Sequence, residues 1–308
     1  MDMVSFLSAT VVAGTPLLYA TLGEILTEKS GNLNLGVEGM MLIGAVAGFI
    51  SAYTTGSPLF SIGMAMIAGA AGALVYTFLT VSLRANQVVT GLTLTIFGTG
   101  LSSFLGQKYV GQVVPDNVKN FFKPLNIPVL SNIPFLGKIL FSHDILVYLS
   151  IIIAIALGIY LYRTSVGLNL RAVGENPSSA DAASININLY KYINLMLGGA
   201  ICGLGGAYLS LVYVPTWQEN ITSGRGWIAV ALVIFASWNP YKAIIASYLF
   251  GGLDIIGFRL ENAVISKYFL DMLPYLGTIV ALTVFSAKKS RKNSPPKHLG
   301  LPYFREER

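Results

Sequence analysis

RTSVGLNLRAVGENPSSADAASININLYK, residues Arg163 to Lys191, is a polar segment set between two apolar runs. Connections between bilayer-crossing helices are usually short, and a long one is retained where something outside the bilayer grips it. Within it, Asn176 and Pro177 mark a helix start. An asparagine side chain caps otherwise unpaired backbone donors, and proline lacks the N–H that would be wasted at the first helical position while its φ is already helical. The reading is a short surface helix over Pro177 to Ser184. Ser178, Ser179, Ala180, Ala182, Ala183 and Ser184 carry little bulk, so its backbone could press into a groove on another protein.

The rest of the chain explains why this segment stands out. Its 308 residues are 54% hydrophobic and only 11% charged, with mean hydropathy +0.66, where a soluble domain carries about 25% charged residues. An all-α, polytopic transmembrane bundle is expected, because a helical crossing needs roughly 20 mostly apolar residues. Nine candidates can be read, within a range of about eight to ten: Val4 to Leu26, Leu35 to Tyr53, Leu59 to Leu83, Val88 to Leu105, Ile145 to Tyr162, Tyr192 to Tyr213, Trp227 to Trp238, Ala243 to Phe258 and Tyr268 to Ala287. Trp227 to Trp238 is too short for a full crossing. It and its successor are read as broken or re-entrant, which a membrane protein tolerates where protein or a cavity covers the backbone.

Lys and Arg set the orientation, since basic loops stay cytoplasmic. With the N-terminus outside and the C-terminus inside, 13 of the 20 basic residues fall on the inner side, among them Lys29, Arg84, Arg163, Arg171, Lys191, Lys242 and the run from Lys288 to Arg308. The Arg163 to Lys191 loop is then cytoplasmic. The +6 net charge sits beside spans rather than on a separate basic domain, so no nucleic-acid partner is expected and membrane lipid is. The chain divides into a transmembrane domain, 1–287, which includes the 163–191 loop, and a basic tail, 288–308, read as a disordered orientation signal. The N-terminus has no basic stretch before its apolar run, so the first span is expected to remain.

Gly106 to His143 is a long outer connection in which Pro115, Pro124, Pro128 and Pro134 forbid a long helix. Its recurring apolar residues suggest a lid on the outer helix ends or a docking surface. Within the spans, Gly44 and Gly48, Gly69 and Ala73, and Gly199 and Gly203 recur at four-residue spacing, with Gly205 and Gly206 beyond. Such faces let helix backbones approach closely where lipid removes the hydrophobic drive to associate.

Ionisable and amide groups near the spans are the candidates for chemistry, since an intramembrane charge is costly. Glu24 and Glu28 are expected to be solvated at the inner interface. Glu38, four residues into an apolar run, needs a partner, read as a backbone N–H at a helix break near Asn34 and Gly36. Asn86, Gln87, Thr90, Thr93 and Thr95 enter the fourth span, where amides and hydroxyls hydrogen-bond a neutral polar solute or glue helices together. Asp254 is a further buried acid. Asn34, Glu38, Asn86, Gln87, Thr90, Thr93 and Asp254 are therefore candidates for a translocation path or for bracing. Trp217, Gln218, Glu219 and Asn220, before Gly224, Arg225 and Gly226, form a turn that could meet a delivery protein.

Several classes are excluded. Gly137 and Lys138 are followed by Ile139, so there is no phosphate loop and no ATP site is expected here. The histidines, His143 and His298, lie in a loop and the tail, leaving no metal cluster and no Ser/His/acid set. Cys202, the only cysteine, excludes an internal disulfide. No enzyme and no ring-type ion filter is expected.

Gly23 to Met41, Ala85 to Leu92 (ANQVVTGL), Pro124 to Phe141, Arg171 to Pro177 (RAVGENP) and Gly224 to Ala229 (GRGWIA) together resemble the permease subunits of bacterial ATP-binding cassette importers. More narrowly they resemble the branched-chain amino acid, ribose and nucleoside permease group, and within it the nucleoside (simple-sugar-type) permeases. The likeness covers nearly the whole chain. It implies a multi-pass protein of the bacterial cytoplasmic membrane that pairs with a second permease, homologous or identical. It also implies cytoplasmic ATPase subunits, which hold ATP and Mg, and an extracytoplasmic solute-binding protein or lipoprotein. In that group the GENP loop includes the helix that receives the ATPase stroke, a role that falls here on Gly174, Glu175, Asn176, Pro177, Ala180 and Ala183. Ser179 and Ser184 depart from the group's usual Ala and Gly. Ribose, another sugar or a branched-chain amino acid are the alternative cargoes, and an ion-coupled carrier using Glu38 or Asp254 is the rival class.

Overall fold

The computed structural model describes residues 3–126, 136–259 and 294–306, with single positions at 131 and 133 and scattered ones between 272 and 283. Most of the ninth candidate span, Tyr268 to Ala287, and part of the Pro124 to Phe141 run therefore lie outside the described residues.

Among the described residues, six helices are long and apolar enough to cross a bilayer. They are α1 (Met3–Lys29), α2 (Val37–Thr55), α3 (Pro58–Thr77, running on as a π-helical turn Phe78–Ser82), α4 (Gln87–Gly106, ending in a 3₁₀ turn), α7 (Ile145–Arg163) and α10 (Ile187–Tyr208, running on as a π turn Leu209–Tyr213). Between α4 and α7 lie two short helices, α5 (Asp116–Phe121) and α6 (Leu136–Leu140), and a two-residue antiparallel pair, β1 (Leu125–Asn126) with β2 (Ser142–His143). Besides that small antiparallel pair, the described residues carry an isolated bridge, Val113 to Thr216, and are otherwise helices and their connections. The 163–191 loop folds as α8 (Ser165–Glu175) and α9 (Pro177–Ala182), and α10 is followed by α11 (Arg225–Phe235) and α12 (Pro240–Arg259). At 11 residues, α11 rises about 16 Å, roughly half of the hydrocarbon thickness.

The centre of the bundle is α1, α2, α3 and α10, with α4 packed on α2, and α7 and α12 on α1. From Thr10 to Glu28 nearly every residue of α1 is buried, as expected of a helix enclosed on all sides. In contrast, α3, α4 and α7 leave large apolar residues such as Ile67, Phe78, Ile96, Phe104 and Ile152 exposed, in keeping with lipid-facing flanks. The four-residue glycine faces make the central contacts. A Cβ on Gly44 would strike the backbone of Gly203, one on Gly69 the backbone of Gly199 and Gly203, and one on Gly206 the carbonyl of Met41. Helices α2, α3 and α10 thus meet backbone to backbone, a geometry that favours dispersion where the hydrophobic effect is absent.

Two expectations are corrected. Glu24 and Glu28 are 0% and 2% exposed rather than solvated. The end of α1 is covered by Gly174 of α8, which lies against Lys29 and Gly31, and by Trp238 in the α11–α12 turn, whose Nε1–H donates to Glu28 Oε2. The tail is ordered over 294–306 instead of free. His298 N–H donates to the Gly174 carbonyl at 3.1 Å and Gly300 N–H to the Gly31 carbonyl at 3.2 Å. Beyond them Asp181 accepts from Tyr303 Oη and pairs with Arg305, both at 3.0 Å. The last carbonyls of a helix lack intrahelical donors, and the tail supplies one to α8.

Replacing Gly206 by Val should drive a side chain into the Met41 carbonyl and cost about 3 kcal/mol or more. Gly63→Ala, inside α3 where nothing lies within 4 Å of the added carbon, should leave stability unchanged or raise it by up to about 1 kcal/mol. Thermal unfolding of the two purified variants in neutral detergent checks the contrast.

Candidate functional site

Two non-helical segments enter the bundle from opposite ends and meet at Glu38. One is the connection between α1 and α2, residues 30–36. The other, residues 214–224, leads from the end of α10 to the start of α11. Glu38, in the first turn of α2, accepts from Thr222 Oγ1 at 2.5 Å, Gly224 N–H at 2.8 Å and Gly226 N–H at 2.6 Å. One carboxylate therefore caps the start of α11 while lying in the first turn of its own helix. Both helix N-termini favour a negative charge there, and they supply the partners that a charge away from water requires. The partner expected for Glu38, a backbone N–H near Gly36, is corrected to these donors on a distant segment.

The GRGW motif has a physical reading at each position. Gly224 has φ 81°, left-handed backbone that a residue with a Cβ adopts only at a cost. Arg225 turns back to Asp254 on α12, Nη2 to Oδ2 at 3.1 Å, with its guanidinium 5.5 Å from the Tyr213 ring centre. A Cβ on Gly226 would meet the Glu38 backbone at 2.5–2.6 Å. Asp254 is thus half-buried and paired, and the arginine that neutralises it went unrecognised in the sequence because it reads as part of an outer turn.

The remaining polar candidates brace the 30–36 segment. Glu24 Oε1 accepts Asn34 N–H at 3.1 Å, Asn34 Oδ1 accepts Gly36 N–H at 2.8 Å, and Gln87 Oε1 accepts Leu33 N–H at 2.7 Å. Tyr76 Oη donates to the Leu33 carbonyl at 2.6 Å and Thr95 Oγ1 to the Leu35 carbonyl at 2.9 Å. Irregular backbone at this depth is satisfied by protein in place of water. Asn86 caps α4 through Val89 N–H, and Thr90 and Thr93 bond back to carbonyls of their own helix. Of this group Asn86 and Thr93 are exposed, whereas Gln87 and Thr90 are buried.

In the turn expected to meet a delivery protein, Trp217 is fully buried. Its ring centre lies 5.7 Å from that of Phe49, Gly106 lies against its indole, and its backbone pairs with Gln112 and Gly111 of the long connection. It anchors that connection, and the turn presents Gln218, Glu219 and Asn220 instead.

At the other end, Asn176 caps α9 as its sequence predicts, Oδ1 accepting Ser179 N–H at 3.1 Å. The face that α9 presents differs from the expectation. Gly174, Pro177 and Ala180 are buried, Ala180 packing with Val173 and Ile187. Glu175, Asn176, Ser178, Ser179, Ala182 and Ala183 are exposed. Ser184 holds φ 60°, which is why glycine suits this position better.

Removing the Glu38 carboxylate by Glu38→Ala strands three donors and should cost about 3 kcal/mol. Glu38→Gln, which sets an amide N–H₂ among those donors, should recover only part of it. Thermal unfolding of the two variants beside the parent chain checks the order.

The chain matches the family described as branched-chain amino acid transport system, permease component, over residues 6–283. A Haloferax volcanii protein provisionally named a glucose ABC transporter permease is 37% identical, with 97% of each chain covered. The guanosine ABC transporter permease protein of Bacillus subtilis is 36% identical over 100% of both chains, and the nucleoside ABC transporter permease protein of Lactococcus lactis is 34% identical over 96% of each. A match across nearly the whole bundle, including the Glu38 clamp and the α8–α9 surface, shows that this chain belongs to the branched-chain amino acid transport system permease family.

Proposed function

We propose that the chain is the membrane-spanning permease subunit of an ATP-driven importer that moves a nucleoside from an extracytoplasmic binding protein or lipoprotein into the cell. The observation that carries this reading is full-length similarity to permeases named for guanosine and nucleosides. In this reading a second permease, identical or homologous, completes the pore. In this reading α12, the half-length α11 and the apolar run that the sequence offers at Tyr268 to Ala287 are the remaining candidates toward the expected eight to ten spans. ATP and Mg belong to the partner ATPase. The end that carries Lys29, Arg84, Arg171, Lys191 and the tail faces the cytoplasm, with the N-terminus outside, in keeping with the side on which basic residues accumulate.

The α8–α9 unit is the coupling element. Glu175, Asn176, Ser178, Ser179, Ala182 and Ala183 form its outer surface, and Gly174, Pro177 and Ala180 transmit movement inward because they pack on α8, α10 and the tail. ATP binding would bias two packings of the bundle, with no covalent chemistry in this chain. Thr93 and the Arg225–Asp254 pair, polar groups that keep part of their surface uncovered, are the path contacts in this reading. The same charged pair favours a second cargo, a zwitterionic amino acid, although the two side chains already satisfy each other.

Ser179→Arg adds bulk to the exposed face of α9 and should lower uptake of radiolabelled guanosine at least about tenfold, while the amount of folded chain in the membrane stays at the parent level. Unchanged uptake would refute the coupling assignment. Uptake of glucose or leucine with no guanosine uptake would replace the cargo and leave the machine standing. Uptake abolished by an ionophore with cellular ATP intact would overturn the machine itself.

A further inference from the structure

A cavity that the described residues line is unclaimed by the transport reading. It lies at the α8–α9 end of the bundle, has a volume of about 660 Å³, and is bounded by the π turn of α3, the segment that starts α10, and the tail around Tyr303 and Arg305. That volume falls within the range of small-ligand sites, roughly 300–1,000 Å³. Three cations line it, Arg84, Lys191 and Arg305, against one carboxylate, Asp181. Asp181 already pairs with Arg305 at 3.0 Å, and Arg84 rests 4.6 Å from the centre of the Phe304 ring.

Lys191 is the decisive group. It is 4% exposed, lines the cavity from the second turn of α10, and among the described residues makes no hydrogen bond or ion pair. Its side chain is enclosed while its ammonium opens onto the cavity, and a cation held there with no protein partner favours an anion opposite. The start of α10 adds to this. Asn186 takes the N–H groups of Leu189 and Tyr190, leaving those of Ile187 and Asn188 at the wall, at the positive end of a 22-residue helix. The positive field reaches the tail as well: burial first, and then the charge of Lys191, hold the His298 imidazole below its ordinary pKa.

We infer that this cavity binds a phosphate-bearing anion, held by Lys191, Arg84 and the N-terminus of α10. Two sources share that chemistry. The apolar residues Phe78, Leu83, Leu189 and Ile193 beside the cavity are 48–59% exposed and could carry the acyl chains of an anionic phospholipid whose headgroup enters. A free phosphate compound would need the polar wall alone. Either would bridge α3, α10 and the tail, and so stiffen the support of α9.

The test titrates the purified full chain, in neutral detergent, with short-chain phosphatidylglycerol and separately with inorganic pyrophosphate, using short-chain phosphatidylcholine as the control. Saturable binding of one equivalent of either anion is expected, weakened about tenfold by Lys191→Met, the loss of one charge-assisted hydrogen bond. Arg84→Gln, on an exposed residue, should weaken it by about threefold. Lys191→Met removes an unpaired buried charge, so the variant without ligand should unfold at or above the temperature of the parent chain. Binding of the lipid alone assigns a headgroup site, and binding of pyrophosphate assigns a site for free phosphate. Absence of saturable binding by both probes, or equal affinities for the parent chain and both variants, would overturn the inference.

Discussion

Everything else in this bundle depends on how broken backbone is satisfied away from water. A helix bonds its own amide groups, but residues 30–36 and 214–224 do not, and in hydrocarbon each unpaired donor or acceptor costs several kcal/mol. Glu38 answers for the second segment. Its carboxylate takes a hydroxyl and two backbone N–H groups where two helix N-termini converge. Neutral partners could accept those donors, but a charge at the positive ends of two helices is held more strongly. The cost of placing a carboxylate there is offset by letting α11 begin inside the bundle instead of at its surface.

The close-packed glycine faces and the clamp act together. Because α2, α3 and α10 touch through their backbones, the position of Glu38 on α2 is set to within the tolerance of a Cβ atom, and Gly226 leaves room for it. Bundles packed in this way move as pieces with discrete arrangements rather than deforming gradually. A permease that alternates between two packings gains from rigid pieces, and the clamp joins the short α11 to one of them.

The end of the molecule that carries α8 and α9 is built differently. There the ties are single hydrogen bonds and ion pairs from the tail to Gly174, Gly31 and Asp181, partly exposed and individually weak. Such contacts open more readily than the glycine-packed centre. The surface proposed to receive a motor is therefore mounted on the more yielding part of the fold.

Much of this was legible in the residues. The long apolar runs, the short helix opened by Asn176 and Pro177 and the four-residue glycine faces are local properties, set by spacing and capping, and they come from the sequence by itself. Tertiary structure alone decided which group Glu38 would meet, 184 to 188 residues away, and that Arg225 would neutralise Asp254. It also decided that Ala180 turns inward, that Trp217 is an anchor, that Glu24 and Glu28 are enclosed and that the tail is docked. Local pattern says that a carboxylate needs a donor or that a helix has a small face. Only the packing of distant segments determines which donor arrives and which face is covered.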